Sequence, residues 1–419
     1  MMDKFISENL HTSVIGEYEV LIAGGGVAGV AAALAAARQG AKVGLLEREY
    51  MLGGLATAGL IAIYLPLCDG MGKQVSFGIA EELLKLSIRY GCEGELPTAW
   101  LEGADGAGEG RAVHSAAKTD PGAAAGRRYD ARFNPQLFAI AAEQLLVKNG
   151  VSIHYGTAVC GVKMEENRIS HVIAENKSGR VAWRVKSVVD ATGDSDLCRM
   201  AGEKTALFGQ QNVLAAWYYY VGKNGYGLKT LGIADVPEEE KSGEISLLTK
   251  RRFQGITEEE LSEMMRLSHG VILEDLLDMR KMDPECFPVT IATIPQVRMT
   301  RRICGRYVLD TSEERVPFAD SIGAVGNWKR RGPAYEIPYR CLYGETVKNL
   351  ITAGRSISVT DAMWDVTRVI PACAVTGQAA GTAAALTDCF AALDVGLLQR
   401  RLRVDGVKLH LQARGPQEG

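Results

Sequence analysis

Neither sign of charge dominates this sequence of 419 residues. Lysine and arginine together number 47, aspartate and glutamate 50, and the formal net charge is −3. A chain with so little excess charge has no basic field to attract nucleic acid, so we expect no polyanionic partner. Hydrophobic residues at 47% and charged residues at 23% are typical of a globular protein. At about 150 residues per domain, the length suggests two or three domains.

Paired cysteines are also lacking. The nine cysteines are odd in number and scattered, and no two are spaced as Cys-x-x-Cys. This pattern argues against a disulfide framework, a zinc site or an iron-sulfur cluster, and it favours reduced thiols. No apolar core of the kind found in signal peptides occurs in the N-terminal stretch MMDKFISENLHTSVIGEY. We therefore expect no metal ion and a cytoplasmic location.

The longest apolar run, residues 20–37, contains a glycine motif. A strand-like EVLIA precedes the glycines, and an alanine-rich helical stretch follows them and ends at Gly40. Gly24, Gly26 and Gly29 form G-x-G-x-x-G, which permits a tight turn, close approach of a pyrophosphate and close packing of helix on strand. The helix N-terminus would face the phosphates. Because the glycines interrupt the run, we expect a nucleotide site and no membrane span.

An acidic residue completes the motif. The second strand, KVGLLE, ends at Glu47, where a carboxylate can bind the ribose hydroxyls. A carboxylate there disfavours a 2′-phosphate and hence NADP, so FAD and NAD remain as candidates. We also expect Val27 and Ala28, at the start of the helix, and Arg48, next to the acid, to contact the cofactor.

A second glycine pair distinguishes the two candidates. Gly53 and Gly54 follow Glu47 at a place where a classical NAD dehydrogenase would continue into a third strand. In this respect the chain resembles glutathione-reductase-like flavoproteins, whose second glycine pair gives the backbone another close approach to FAD. The resemblance implies that FAD is the cofactor and that this pair contacts it.

Two downstream segments extend the resemblance. A buried strand runs into a turn that resembles the Ala-Thr-Gly turn by the adenine half of FAD, and it consists of Ala191, Thr192 and Gly193. Near the C-terminus, Gly354 and Arg355 precede a helix that begins near Pro371 and contains Gly377. In such flavoproteins this helix directs its N-terminus at the flavin ring. The chain is identified as a member of the bacterial FAD-dependent oxidoreductases, related to the flavin subunit of heterodisulfide reductase and to thiazole synthases.

The resemblance implies an α/β fold: a Rossmann-type FAD-binding domain of the glutathione-reductase-like class with an inserted α+β substrate or cap domain. The expected parts are an FAD-binding domain of residues 1–62, 130–205 and 345–392, a cap of residues 63–129 and 206–344, and a C-terminal tail of residues 393–419. Within the cap, Thr257 and Glu260 have the spacing of a capping box that opens a helix.

The implied activity is hydride transfer between a small polar organic substrate and noncovalently bound FAD. Two alternatives remain open at this point: an NAD-using non-redox enzyme like the thiazole synthases, and a noncatalytic nucleotide-fold binding protein. No second G-x-G-x-x-G lies between a strand and a helix, and no cysteine pair is placed to face the flavin. The electrons would therefore be exchanged with a small molecule, oxygen or a partner protein.

Candidate catalytic residues come from the C-terminal segment. The resemblance places Arg368 at the flavin edge, where it would hold a substrate carboxylate or the flavin ring. Many members carry a histidine in the loop before it, but this chain has none there. The proton acceptors that remain are Asp361, Asp365, Tyr339 and Glu336.

Other side chains have both functional and structural interpretations. Arg298, Arg301, Arg302 and Arg340 are candidates for binding the substrate, and structural ion pairs are the alternative. Cys68 is either a thiol that acts at the flavin, including by covalent attachment, or a small buried side chain.

Overall fold

The computed structural model describes residues 8–71, 73–90, 92–93, 131–232 and 247–411. Residues 94–129 and 233–246, which belong to the expected cap, lie outside the described residues, as does residue 130.

A seven-stranded sheet forms the centre of the molecule. Its strands are β1 (Ser13–Ala23), β2 (Val43–Leu46), β6 (Ser152–His154), β7 (Ala158–Glu165), β8 (Arg168–Asn176), β9 (Gly179–Asp190) and β17 (Leu350–Thr352). The order is β6-β2-β1-β9-β8-β7, and β17 also pairs with β9. Strand β1 pairs in parallel with β2 and β9, β2 with β6, and β9 with β17. Strand β8 pairs antiparallel with both β7 and β9. This sheet confirms the predicted mixed α/β fold.

Two buried helices pack against each other on this sheet. They are α1 (Val27–Arg38) and the helix that we name α7 (Ile370–Leu386), and nearly every side chain of both is buried. A β-carbon at Gly377 or Gly381 would overlap the backbone carbonyl oxygen of Ala28 or Ala32, respectively. The two helices can therefore approach so closely only because their contact consists of glycine and alanine.

The remaining helices surround these layers. They are α2 (Ile79–Ile88), α3 (Pro135–Lys148), α4 (Asp196–Met200), α5 (Glu258–Met282), α6 (Asp361–Thr367) and α8 (Val395–Val404). Among the helices of the described residues, no single one is long and apolar enough to cross a bilayer, while α6 and α7 pass that test only as a pair bent by 89°.

The segment between β9 and β17 builds smaller sheets of its own. One is antiparallel, in the order β12-β11-β13, with α5 packed on β11. Its strands are β11 (Ala216–Gly222), β12 (Gly225–Leu231) and β13 (Phe287–Ile291). Two-stranded pairs are formed by β10 (Thr205–Leu207) with β14 (Arg301–Ile303), and by β15 (Ser321–Gly326) with β16 (Ala334–Pro338). A further small sheet consists of β3 (Ile63–Tyr64), β4 (Cys92–Glu93) and β5 (Ala131–Phe133).

The start of α5 differs in part from the predicted capping box. The hydroxyl of Thr257 accepts a hydrogen bond from the amide of Glu260, as expected. The carboxylate of Glu260 instead accepts from the amides of Gln254 and Gly255, at 3.1 and 3.0 Å. The positive φ of Gly255, +73°, turns the chain before the helix, and these amides reach the carboxylate first.

Candidate functional site

A cleft runs across the carboxyl ends of the parallel strands, the usual ligand position in an open α/β sheet. Of the residues predicted to bind the cofactor, those that line it are Gly24, Gly26, Val27, Ala28, Glu47, Arg48, Gly53, Gly54, Ala191, Thr192, Gly193, Gly354 and Arg355. Of the predicted catalytic residues, Arg368 lines it. Gly29 and Gly377 lie behind its wall, where they permit close packing.

The three glycines of the first motif differ in the atoms that surround them. Gly24 has φ +96°, and a β-carbon there would lie 2.5 Å from the carbonyl oxygen of Ala191. A β-carbon on Gly29 would overlap the carbonyl oxygen of Gly24, so helix and turn need glycine to touch. Gly26 differs, because a β-carbon there would meet no atom within 4 Å. The bare backbone of Gly26 therefore leaves space in the cleft for a ligand.

The second glycine pair is joined to the first glycine loop. The amide of Gly53 donates to the carbonyl of Gly25 at 2.8 Å, and Gly53 forms a parallel bridge with Gly26. Gly54 has φ +55°, and a β-carbon there would lie 3.2 Å from the α-carbon of Gly26. Two motifs that are separate in sequence thus form one continuous wall of backbone.

Glu47 lies in the wall of the cleft. The residue is only 6% exposed, and its carboxylate accepts from the amides of Gly25 and Glu49, at 2.6 and 2.8 Å. Burial raises the pKa of Glu47, and these two hydrogen bonds act in the opposite direction. These two amides thus hold the side chain of Glu47 in one position in the cleft wall.

Arg368 and the N-terminus of α7 also form part of the cleft wall. Ile370, the first residue of α7, lines the cleft together with Arg368. The Arg368 guanidinium donates from Nε to Asp365 Oδ1 at 3.0 Å, and the other carboxylate oxygen of Asp365 forms an ion pair with Lys329. Asp365 is buried. Its two oxygens are thus both engaged by cations, and it fixes the position of Arg368.

Arg355 spans the gap between the central sheet and the inserted segment. It forms an ion pair with Asp194 at 3.0 Å and donates to the carbonyls of Val297 and Arg298. A β-carbon on Gly193 would lie 2.6 Å from Arg355 Nε. The glycine of the Ala-Thr-Gly turn therefore leaves the space that Arg355 occupies.

Two side chains that were predicted to be catalytic form their hydrogen bonds and ion pairs outside the cleft lining. Tyr339 is buried, and its hydroxyl donates to the carbonyl of Phe390 at 3.1 Å. Asp361 forms an ion pair with Arg302 at 2.8 Å and accepts from the amide of Gly209 at 3.0 Å. Neither Tyr339 nor Asp361 lines the cleft. Their side chains support local structure.

The remaining candidates also have structural partners. The carboxylate of Glu336 accepts from the amide of Phe318 at 2.9 Å. Arg340 pairs with Asp320 at 2.9 Å, away from the cleft. Burial raises the pKa of Cys68 to about 11, with a further contribution from the neighbouring carboxylates. Cys68 thus remains a protonated thiol near neutral pH, and it lies outside the cleft lining.

Several of the residues that line the cleft were not predicted from the sequence. Asp194 and Asp196 line the cleft just beyond β9, and Cys373 lines it on α7. Burial and the neighbouring Asp194 raise the pKa of Asp196 to about 6. Their position after the carboxyl end of a parallel strand was a usable signal for the two aspartates. In the part of the chain that the structure describes, no group of three or more His, Cys, Asp or Glu side chains is arranged to hold a metal ion.

Comparison with solved structures finds matches at low sequence identity. A geranylgeranyl bacteriochlorophyll reductase-like protein from Thermoplasma acidophilum is 16% identical with a TM-score of 0.45, covering 93% of this chain and 83% of that one. A 3-ketosteroid-Δ4-(5α)-dehydrogenase from Rhodococcus jostii is 16% identical with a TM-score of 0.41, covering 89% and 98%. A p-nitrophenol 4-monooxygenase from Pseudomonas putida is 13% identical with a TM-score of 0.42, covering 93% and 80%.

The family match is decisive. No curated protein matches the chain. Residues 19–216 and 217–411 match the family model of the FAD-dependent oxidoreductases, which covers most of the sequence. The predictions of FAD as cofactor and of an oxidoreductase are confirmed, and the NAD-using and noncatalytic alternatives are not supported. This chain belongs to the FAD-dependent oxidoreductase family.

Proposed function

We propose that the cleft binds FAD noncovalently and that the enzyme transfers a hydride between the flavin ring and a small polar organic substrate. The observation that carries the proposal is the continuity of the cleft. The same cleft is lined by Glu47 and Gly26, which would form its nucleotide end, and by Arg368 and Ile370, which would form its flavin end. It would thus join a nucleotide site to a helix N-terminus.

The residues at the nucleotide end suit FAD. The Glu47 carboxylate would accept from the adenosine ribose, and Arg48 lies beside it. The open backbone at Gly26 and the N-terminus of α1, with Val27 and Ala28, would hold the pyrophosphate. Ala191 and Thr192 would line the adenine side. Cys68 is a protonated thiol outside the cleft, which supports noncovalent binding.

The other end would serve the redox reaction. FAD supplies the ring that exchanges the hydride. The N-terminus of α7 carries partial positive charge, and the Arg368 guanidinium adds a full one, so both would stabilise negative charge at that end of the cleft. Asp365 and Lys329 would act as positioning residues for Arg368. Apolar side chains in the lining, such as Val297, would exclude water.

The inserted segment would form the substrate cap. It contributes Gly255, Leu261, Ile294, Pro295 and Val297 to the cleft. It is also tied to the loop after the second glycine pair, because Gln296 Nε2 donates to the carbonyl of Gly59 at 2.6 Å. The boundaries expected from the sequence, with the cap at 63–129 and 206–344, are retained in this proposal.

The visible absorption spectrum of the purified protein tests this function. We expect the two bands of an oxidised flavin, and we expect denaturation to release FAD into the filtrate, where chromatography identifies it. Anaerobic bleaching then screens for substrates. A protein that stays colourless after incubation with FAD, or a chromophore that remains on the denatured chain, would contradict the proposal.

A further inference from the structure

Arg298 is a buried arginine with two side-chain nitrogens that find no hydrogen-bond partner among the described residues. Arg298 is 5% exposed, and its Nε and Nη1 have no hydrogen-bond partner within the described residues. Its guanidinium lies 5.1 Å from the ring centroid of Trp217, on β11. Burying a cation without a counter-ion is strongly unfavourable. A missing partner is therefore expected at this position.

The backbone holds Arg298 in place on both sides. Its amide donates to Asn212 Oδ1 at 3.2 Å, and its carbonyl accepts from Arg355 Nη1 at 3.4 Å. Asn212 is itself buried, and its side-chain nitrogen donates to the carbonyl of Phe253. The backbone that carries this side chain is therefore fixed before any ligand binds, which lowers the entropic cost of binding.

The charges around Arg298 are mostly positive. Its pKa is lowered by burial, then by Arg368 and by Arg355, and Asp365 opposes the shift. Asp365 is already shared by Arg368 and Lys329. The neighbouring carboxylate is therefore committed to other cations, and a further negative charge would be favourable.

Arg298 lies at a different place from the backbone proposed to hold the FAD phosphates. Those phosphates are assigned to the bare backbone at Gly26. Arg298 instead lies among Trp217 of the inserted segment and Arg368 at the start of α7, and the residue before it, Val297, lines the cleft. Arg298 itself is not part of the cleft lining, but it adjoins that lining through Val297 and contacts the segment proposed as the substrate cap.

We propose that Arg298, together with Arg368, binds an oxyanion group of the substrate. The substrate class is then a small organic acid that carries a carboxylate or a phosphate ester. Planar guanidinium groups suit both of these oxyanions. This inference rests on the proposed function, because that function places the flavin ring at the same end of the cleft.

Titration of the FAD-loaded protein tests the inference. Acetate, inorganic phosphate and neutral acetamide are added separately at constant ionic strength, and the flavin absorption spectrum and the thermal melting temperature are followed. We expect saturable binding and stabilisation by at least one oxyanion and none by acetamide. Whichever of acetate and phosphate binds more tightly shows whether the site prefers a carboxylate or a phosphate group.

Variants of the arginine make the test specific. R298M should weaken oxyanion binding by about 10- to 100-fold, the range for a charge-assisted hydrogen bond, while R298K should restore part of it. The matched control is R340M, since Arg340 pairs with Asp320 away from the cleft, and it should bind like wild type. If R298M is insoluble, the comparison of acetate and phosphate with acetamide on the wild-type protein decides whether the oxyanion site exists.

The outcomes separate the two proposals. A protein that does not retain FAD would contradict the proposed function. A protein that retains FAD but binds neither oxyanion, or binds acetamide equally well, would contradict only the oxyanion site, as would unchanged oxyanion binding in R298M.

Discussion

The amide of Gly53 lies 2.8 Å from the carbonyl oxygen of Gly25 and donates a hydrogen bond to it. The second glycine pair is thereby joined to the G-x-G-x-x-G turn, and Gly54 approaches Gly26 on the cleft side. A β-carbon at Gly53 would clash with the side chain of Thr57, and one at Gly54 would crowd the α-carbon of Gly26. This relationship explains why two glycine motifs recur so close together in the sequence.

Substitution of Gly26 by alanine should leave the fold intact and remove most FAD binding. A β-carbon there meets no atom within 4 Å, so the methyl group enters the cleft at the place proposed for the pyrophosphate. The φ of Gly26, −63°, is accessible to alanine. FAD per protein, measured by absorbance, checks the result.

The matched control is Gly270→Ala in α5, where a β-carbon also meets nothing within 4 Å. This control should retain full FAD and gain up to about 1 kcal/mol in the free energy of unfolding, because alanine favours a helix. A G26A protein with full FAD content would place the pyrophosphate elsewhere.

Replacing Glu47 by glutamine should weaken FAD binding by about 10- to 100-fold, since a charged acceptor to a hydroxyl contributes about 1.5–3 kcal/mol. The size of the side chain is kept, but the negative charge is lost. Fluorescence titration of the FAD-free protein measures the dissociation constant. Glu82→Gln, which affects a surface pair with Arg38, is the control. Equal affinity of E47Q and wild type would remove Glu47 from the ribose site.

Introducing alanine at Gly381 should destabilise the protein. Its β-carbon would overlap the carbonyl oxygen of Ala32 across the contact between α1 and α7. Overpacking of this kind costs about 1–3 kcal/mol, and urea unfolding followed by circular dichroism measures it. Gly270→Ala again serves as the control. If G381A unfolded at the wild-type urea concentration, the helices would have room that the structure does not show.

Loss of the Arg368 charge should make the bound flavin harder to reduce. In R368M we expect the two-electron reduction potential to fall by about 30–60 mV, which corresponds to about 1.4–2.8 kcal/mol. The reason is that a cation beside the ring stabilises the charge gained on reduction. Potentiometric titration with redox dyes measures it, with R340M as the control. An unchanged potential would return Arg368 to a structural role.

Asp196 should make stability depend on pH. Burial and Asp194 raise its pKa to about 6, above the ordinary value of about 3.9. The folded protein therefore binds this proton more tightly than the unfolded chain. The contribution of Asp196 to the free energy of unfolding should fall as pH rises from about 4 to about 6, and stay constant above that.

The asparagine variant D196N isolates this contribution. Urea unfolding of wild type and D196N across that pH range should show the decrease in the wild type and a flatter profile in the variant. The ion pair of Asp196 with Arg301 and its partial exposure to solvent limit the size of the effect. Parallel profiles would show that another group titrates there.

The nucleotide half of the site was predictable from the sequence because its geometry is local. Gly24 adopts a positive φ that a glycine favours, and Glu47 follows a short buried strand at a fixed distance from the turn. Such turns and strand ends depend on a few consecutive residues, so spacing alone locates them. The family resemblance then extended the prediction to the Ala-Thr-Gly turn and to α7.

The pairing and burial of the charged side chains around the cleft depend on the tertiary structure. Residue types showed that arginines and aspartates were present, but only the packing of distant segments paired Asp365 with Lys329 and left Arg298 buried beside Trp217. The same packing turned Tyr339 toward a backbone carbonyl. The energy of a charge or a hydroxyl depends on its burial and its partners, and long-range contacts set both. The sequence by itself therefore determined the cofactor fold, and the tertiary structure determined which side chains are free to meet a substrate.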